Sequence, residues 1–133
     1  MTSKVTYEGS LRTKARHIQS GNSIVTDAPV DNEGKGEAFS PTDLVATALA
    51  SCMLTIMGIV AERNDVELKG TTAEVEKIMG TMPRQISKIK IKILFNKNFD
   101  KITKRKLESA ALTCPVSNSL NKNLEESIKF IYP

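Results

Sequence analysis

The stretch that decides the fold is SPTDLVATALASCMLTIMGIVAE, residues Ser40 to Glu62. It holds the longest apolar run of the chain, with no charged side chain between Asp43 and Glu62. Ser40 is a suitable N-cap, Pro41 is favoured in a first helical turn, and Asp43 occupies the position of a capping-box partner. Because a helix that is apolar on all sides is usually buried, we predict a long core helix that carries Cys52 inside the protein.

The same run is the one segment that could cross a membrane. Residues Leu44 to Ala61 reach the minimum length of a span, but they include hydroxyl side chains and are bounded by acidic residues. A buried helix is therefore the preferred interpretation. The first residues show no apolar segment of the kind found in signal peptides. Two cysteines in such a chain indicate a cytoplasmic protein, in which a disulfide would be transient.

Length and composition favour one globular domain that covers residues 1–133. Hydrophobic residues make up 40% and charged residues 26% of the chain, which is ordinary for a protein with a packed core. The net charge of +4 could suit a nucleic-acid partner, but a solvated lysine-rich surface is the simpler explanation. The same choice arises at Ile86–Leu94, whose lysines alternate with isoleucines and best fit the solvent face of an antiparallel sheet. We expect neither a nucleic-acid nor a membrane partner.

The remaining pattern predicts an α+β fold. Tight turns between neighbouring strands favour mainly antiparallel sheets around the long buried helix. A helix with so little polar surface needs more cover than a chain of this size provides, so we expect a second copy in a two-fold dimer. The predicted elements are strands at Val5–Tyr7, Leu11–Ile18 and Ser23–Thr26, a loop at Asp27–Phe39, the long helix, strands at Val66–Lys77 (with a bulge at Gly70) and Ile86–Leu94, helices at Asp100–Thr113 and Pro115–Leu120, and a strand at Ser127–Tyr132.

The two cysteines are the candidate nucleophiles. For Cys52, periodicity alone favours a structural role, because free cysteine is often buried as a small apolar residue. A reactive Cys52 would need a cation or a hydrogen-bond donor from elsewhere in the fold. Cys114 precedes Pro115, where a helix N-terminus would favour a thiolate, and a packed thiol is the alternative. The pair also fits a peroxidatic and a resolving cysteine, of which one is oxidised and the other condenses with it.

Other chemistries have little support in the sequence. A zinc site would need both cysteines, the single histidine His17 and a carboxylate, without the usual close spacing. The chain has no phosphate-binding loop, no dinucleotide-binding glycine motif and no serine-hydrolase motif. Arg12 and Arg16, in the early strands, are cations that could activate a thiol. We expect no metal and no bound cofactor.

The segment SPTDLVATALASCMLTIMGIVAE, followed by LTCPVSNSL, resembles the OsmC/Ohr family. In that family an N-P-E-x-L-type segment opens a central helix with a first cysteine, and a C-P-x-S-type segment carries a second. The resemblance implies an α+β fold in which two subunits intertwine around paired central helices. It also implies a thiol peroxidase, active at the dimer interface, that reduces organic hydroperoxides or hydrogen peroxide in oxidative-stress defence.

By position, Cys52 corresponds to the peroxidatic cysteine and Cys114 to the resolving cysteine, which the resemblance implies form a disulfide during turnover. Family peroxidases place a glutamate where this chain has Thr42, and the neighbouring Asp43 is the candidate acid. Arg12 is the nearest equivalent of the family arginine. The resemblance further implies an external dithiol reductant, such as a lipoyl group or thioredoxin. Because Thr42 replaces the family glutamate, an alternative is a non-catalytic protein of this fold that binds a small or electrophilic molecule.

Overall fold

A computed structural model describes residues 1–133 and confirms the α+β class. The chain forms two compact units, Met1–Val45 and Ala46–Pro133, so one domain over the whole chain stays a prediction. The elements are the strands β1 (Ser3–Gly9), β2 (Arg12–His17), β3 (Ser23–Asp27), β4 (Thr72–Gly80), β5 (Gln85–Leu94) and β6 (Glu125–Ile131), and the helices α1 (Pro41–Arg63), α2 (Lys101–Leu112) and α3 (Pro115–Ser119).

The first unit contains the antiparallel sheet β1-β2-β3, whose strands follow one another through tight turns as predicted. The register sets Arg12 on β2 opposite Asp27 at the end of β3. The loop that follows is ordered: the Asp27 N–H donates to the Phe39 carbonyl at 3.0 Å. Gly34 packs so closely that a Cβ there would lie 1.7 Å from the Ala28 carbonyl oxygen, so only glycine fits.

The second unit contains the sheet β4-β5-β6, which is mixed and not antiparallel throughout. Strand β5 pairs antiparallel with β4 and parallel with β6. The prediction of antiparallel sheets is wrong for β6 because α2 and α3 fill the connection from β5, and a crossover returns the chain in the same direction. Strand β4 also begins later than predicted, since Val66–Thr71 forms turns. Its irregularity lies between Ile78 and Met79 and not at Gly70.

The alternation predicted for β5 is confirmed. The side chains of Ile89, Ile91 and Ile93 are at most 1% exposed and form the core of this unit with residues of α1 and α2. The intervening lysines lie on the solvent side, where each approaches a glutamate of a neighbouring strand. These ion pairs are Lys88–Glu125 at 3.1 Å, Lys90–Glu76 at 3.9 Å and Lys92–Glu74 at 3.7 Å.

Helix α1 begins as predicted, with a capping box. The Asp43 N–H donates to Ser40 Oγ at 3.0 Å, and the Ser40 N–H donates to the Asp43 carboxylate at 2.9 Å. As expected for a helix that one chain of this size does not cover completely, α1 is only partly buried in the single chain. One face is buried (Ala46, Leu49, Ala50, Met53, Met57 and Ala61), whereas a stripe at helical spacing is exposed, and we call it the α1 stripe: Val45, Ala48, Ser51, Thr55 and Ile59.

The length and composition of α1 would also permit a membrane span, a property that core helices of water-soluble proteins share.

Candidate thiol site

Both cysteines are free thiols, and the structure brings them together. Cys52 lies in the middle of α1 and is partly exposed, whereas Cys114 is completely buried at the start of α3. The two thiols lie near each other, because Cys52 is one of the groups that raise the pKa of Cys114. The structure therefore brings the two sequence-predicted nucleophiles together within the second unit.

The environment of Cys114 favours its protonated form. Burial raises the pKa of the Cys114 thiol, and the hydrogen bond with Cys52 and negative charge on Cys52 raise it further. The N–H groups of Ser117 and Val116 oppose this rise, but they do not reverse it. Of the two alternatives that the sequence left open for Cys114, burial therefore favours the packed thiol over the thiolate. Helix α3 has five residues, and its few N–H groups are outweighed by desolvation.

A small hydrogen-bond network holds Cys114. The Ser117 N–H donates to Cys114 Sγ at 3.4 Å, and Ser117 Oγ donates to the Glu126 carboxylate, 2.9 Å from each oxygen. Glu126 lies on β6, in phase with the half-buried Ile128 and Phe130. Glu126 was not predicted, because the last strand was expected to begin at Ser127, two residues after the observed start of β6. Alternation counted back from Phe130 would have shown a carboxylate on the core-facing side.

Arg12 does not present a free guanidinium. Its Nε and Nη2 bind the two carboxylate oxygens of Asp27 at 2.6 and 2.8 Å, and Asp27 is 1% exposed. These hydrogen bonds are the main reason that the pKa of Asp27 is lowered and that of Arg12 is raised, and the Glu37 N–H also stabilises the carboxylate. The sequence did not predict Asp27 as the partner of Arg12, because the two residues meet only through the register of β2 and β3. Arg16, the other candidate cation, is exposed on β2.

This ion pair gives a testable dependence of stability on pH. Because the folded-state pKa of Asp27 is lowered, the pair stabilises the fold above the unfolded pKa of about 4, and the stabilisation is lost as the pH falls through the folded pKa. We expect Asp27→Asn to be less stable than the wild type at neutral pH, with a gap that narrows below about pH 4. Urea unfolding at a series of pH values measures the gap. A gap that stays constant down to about pH 2 would contradict this account.

Asp43 and Thr42 lie at the start of α1. The Asp43 carboxylate and N–H complete the capping box, and the hydroxyls of Ser40 and Thr42 lie 3.2 Å apart. These contacts explain Asp43 as a helix-capping residue. Its role in catalysis stays a prediction, as does that of Arg12.

Comparison with known proteins assigns the chain to a family. The model of the OsmC-like protein family matches residues 34–129. A Psychrobacter arcticus 273-4 protein, provisionally named an osmotic stress induced and detoxification response protein, is 55% identical, with a TM-score of 0.95 over 98% of this chain and 95% of its own. No curated protein matches the chain significantly by sequence.

More distant structures share the fold. The organic hydroperoxide resistance protein OsmC of Legionella pneumophila is 16% identical, with a TM-score of 0.77 over 98% of this chain and 97% of its own. A Vibrio cholerae protein, provisionally named for organic hydroperoxide resistance and carrying captopril in one of its active sites, is 17% identical, with a TM-score of 0.75 over 98% and 91%. The family match and the high identity to the Psychrobacter protein agree with the resemblance of the two cysteine segments: the chain belongs to the OsmC-like family.

Proposed function

We propose that the protein is a cytoplasmic, dimeric thiol peroxidase that reduces organic hydroperoxides or hydrogen peroxide in oxidative-stress defence. The observation that carries the proposal is that a partly exposed Cys52 lies beside a buried Cys114. A reactive thiol that a peroxide can reach, next to a second thiol, is the arrangement required by two-cysteine peroxide reduction. Structures of the same fold carry names for organic hydroperoxide resistance, which supports the substrate class.

The proposed reaction has three steps. The Cys52 thiolate attacks one peroxide oxygen, the O–O bond breaks, and the second oxygen leaves as an alcohol or water after it takes up a proton. Cys52 is now a sulfenic acid. The Cys114 sulfur then attacks Cys52, the S–O bond breaks, the S–S bond forms, and water is released. An external dithiol, such as a lipoyl group or thioredoxin, reduces the disulfide by exchange.

The environments of the two thiols support this division of roles. Cys52 is the more accessible sulfur, as the attacking group must be. Cys114 is completely buried and its raised pKa keeps it protonated, so it can donate a hydrogen bond to a Cys52 thiolate. Arg12 is the proposed cation of the site, as the family resemblance implies, and its ion pair with Asp27 reduces the charge that it can offer. Asp43 is proposed to contribute through the first turn of α1.

We further propose that a second copy of the chain covers the α1 stripe. Its residues are apolar or small, and Ile59 is 41% exposed in the single chain. Ala48 lies about one helical turn before Cys52, and Ser51 lies directly before it. Small side chains at these positions would let another helix approach closely. A two-fold dimer would remove this face from water and enclose the thiol that it flanks.

Thiol counting tests the function. We expect an organic hydroperoxide, added in slight excess to the reduced protein, to remove both free thiols and to leave an intramolecular disulfide, because each sulfenic acid is captured by its neighbour. The measurement is thiol titration together with the mass of the alkylated protein. Retention of both thiols, under conditions that oxidise an established family peroxidase, would contradict peroxidase function.

A second candidate function is the binding of a small apolar or electrophilic molecule without turnover. Two observations favour it: Thr42 stands in the position of the family glutamate, and Arg12 is neutralised by Asp27. Thermal melting with a hydroperoxide and with a panel of fatty acids separates the two functions. Stabilisation by a ligand without loss of thiols would support binding.

A further inference from the structure

Glu126 is an unusual side chain for its position. Glu126 is half-buried and lies on the same face of β6 as Ile128 and Phe130, both of which pack against the core. A carboxylate in that series loses part of its hydration, which is costly unless a partner compensates. The structure gives Glu126 no cationic partner. Its hydrogen-bond partner is the hydroxyl of Ser117, at 2.9 Å from both oxygens.

The contacts of Ser117 connect this carboxylate to the thiol pair. While its hydroxyl binds Glu126, its N–H binds Cys114 Sγ at 3.4 Å. Cys114 in turn lies beside Cys52, which is one of the groups that raise its pKa. Ser117 thus binds β6 through its side chain and binds the buried Cys114 sulfur through its main-chain N–H.

Helix α3 needs such an anchor. It has five residues, and isolated helices of that length are not stable in water. Ser117 and Glu126 also line the wall of an open cleft of about 380 Å³, so this side of α3 faces solvent and not a packed core. The Ser117–Glu126 hydrogen bond ties the first turn of α3 to β6, and it adds to the packing of Cys114 and Val116 in the core.

We propose that Glu126 is a positioning residue, which holds the Cys114 thiol against Cys52 through Ser117. Its catalytic meaning rests on the proposed function, where Cys114 captures the Cys52 sulfenic acid: the S–S bond forms, the S–O bond breaks, and the hydroxide leaves as water with the Cys114 proton. The positioning itself sets how readily the two sulfurs join, whichever oxidant is used. It is therefore open to a test that needs no peroxidase activity.

The test is the equilibrium of the Cys52–Cys114 disulfide with reduced and oxidised dithiothreitol, read by alkylation and mass. We expect Glu126→Ala and Ser117→Ala each to shift this equilibrium toward the dithiol by about tenfold, the scale of one lost hydrogen bond to a charged group. Glu126→Gln should restore most of the wild-type value, because its amide oxygen still accepts the Ser117 hydroxyl. Glu125→Gln is the matched control: Glu125 is adjacent, exposed and paired with Lys88, and we expect no shift.

Several outcomes would overturn the proposal. Wild-type equilibria in both alanine variants would do so, and so would a lower melting temperature with an unchanged equilibrium, which is what a merely structural contact gives. Equal losses in Glu126→Ala and Glu126→Gln would assign the effect to charge and not to the hydrogen bond. If Glu126→Ala does not fold, Ser117→Ala decides.

The proposed function can fail separately. A wild-type protein that keeps its thiols in hydroperoxide, while the alanine variants still shift the dithiothreitol equilibrium, would reject the peroxidase and support the positioning role. If hydroperoxide oxidises the wild type but the alanine variants have the same dithiothreitol equilibrium as the wild type, the peroxidase is supported and the positioning role is rejected.

Discussion

Cys52→Ser is expected to lower hydroperoxide turnover to the rate measured without protein. A serine hydroxyl is not ionised near neutral pH, so it does not replace the thiolate as the attacking group. Cys114 cannot replace it, because Cys114 is completely buried and its pKa is raised. The loss should therefore be complete, and the fold should be retained because serine is close to cysteine in size.

The matched variant is Cys114→Ser. It should consume one equivalent of hydroperoxide, form a Cys52 sulfenic acid that a dimedone-type reagent traps, and then stop because no disulfide can form. Peroxide consumption measured with and without dithiol, together with the mass of the trapped adduct, distinguishes the two variants. Turnover that persists in Cys52→Ser would reject the assignment of Cys52 as the attacking sulfur. Turnover with dithiol at the wild-type rate in Cys114→Ser would reject Cys114 as the resolving cysteine.

Ile59→Asp is expected to convert a dimer into monomers. Ile59 is 41% exposed in a single chain and belongs to the α1 stripe, which we propose a second copy covers. A carboxylate buried there without a partner would cost about 3 kcal/mol, which weakens association by roughly a hundredfold. Light scattering coupled to size exclusion, over a range of protein concentrations, measures the change.

The control substitution is Ile102→Asp. Ile102 on α2 is 66% exposed, so the same chemical change away from the α1 stripe should leave association unchanged. A wild type that is monomeric at all concentrations would contradict the dimer. An Ile59→Asp variant as dimeric as the wild type would place the contact elsewhere on the chain.

Local pattern was sufficient for the elements that depend on neighbouring residues. The start of α1 follows from Ser40 and Asp43, whose capping box forms as predicted. The buried face of β5 follows from strict alternation, because successive side chains on a strand point to opposite faces of the sheet. Both candidate cysteines were found from their positions on helices and from the family resemblance.

Pairings between distant segments were not predictable in this way. Alternation shows that a segment is a strand but not the direction of its neighbour, so the parallel pairing of β6 was missed. The partners Asp27 of Arg12 and Glu126 of Ser117 depend on strand register and on the return of the chain after α3. Composition indicated that one chain would not cover α1, but it did not show which residues form the exposed stripe, because the packing of the other elements decides that.

The sequence by itself therefore determined the capped apolar helix, the alternating strand and the two cysteines, since each is encoded within a few consecutive residues. Only the tertiary structure decided that Cys52 and Cys114 lie near each other, that burial keeps Cys114 protonated, and that Glu126 reaches it through Ser117. The physical reason is that hydrogen bonds and desolvation depend on distance in space, which the spacing of residues along the chain does not specify.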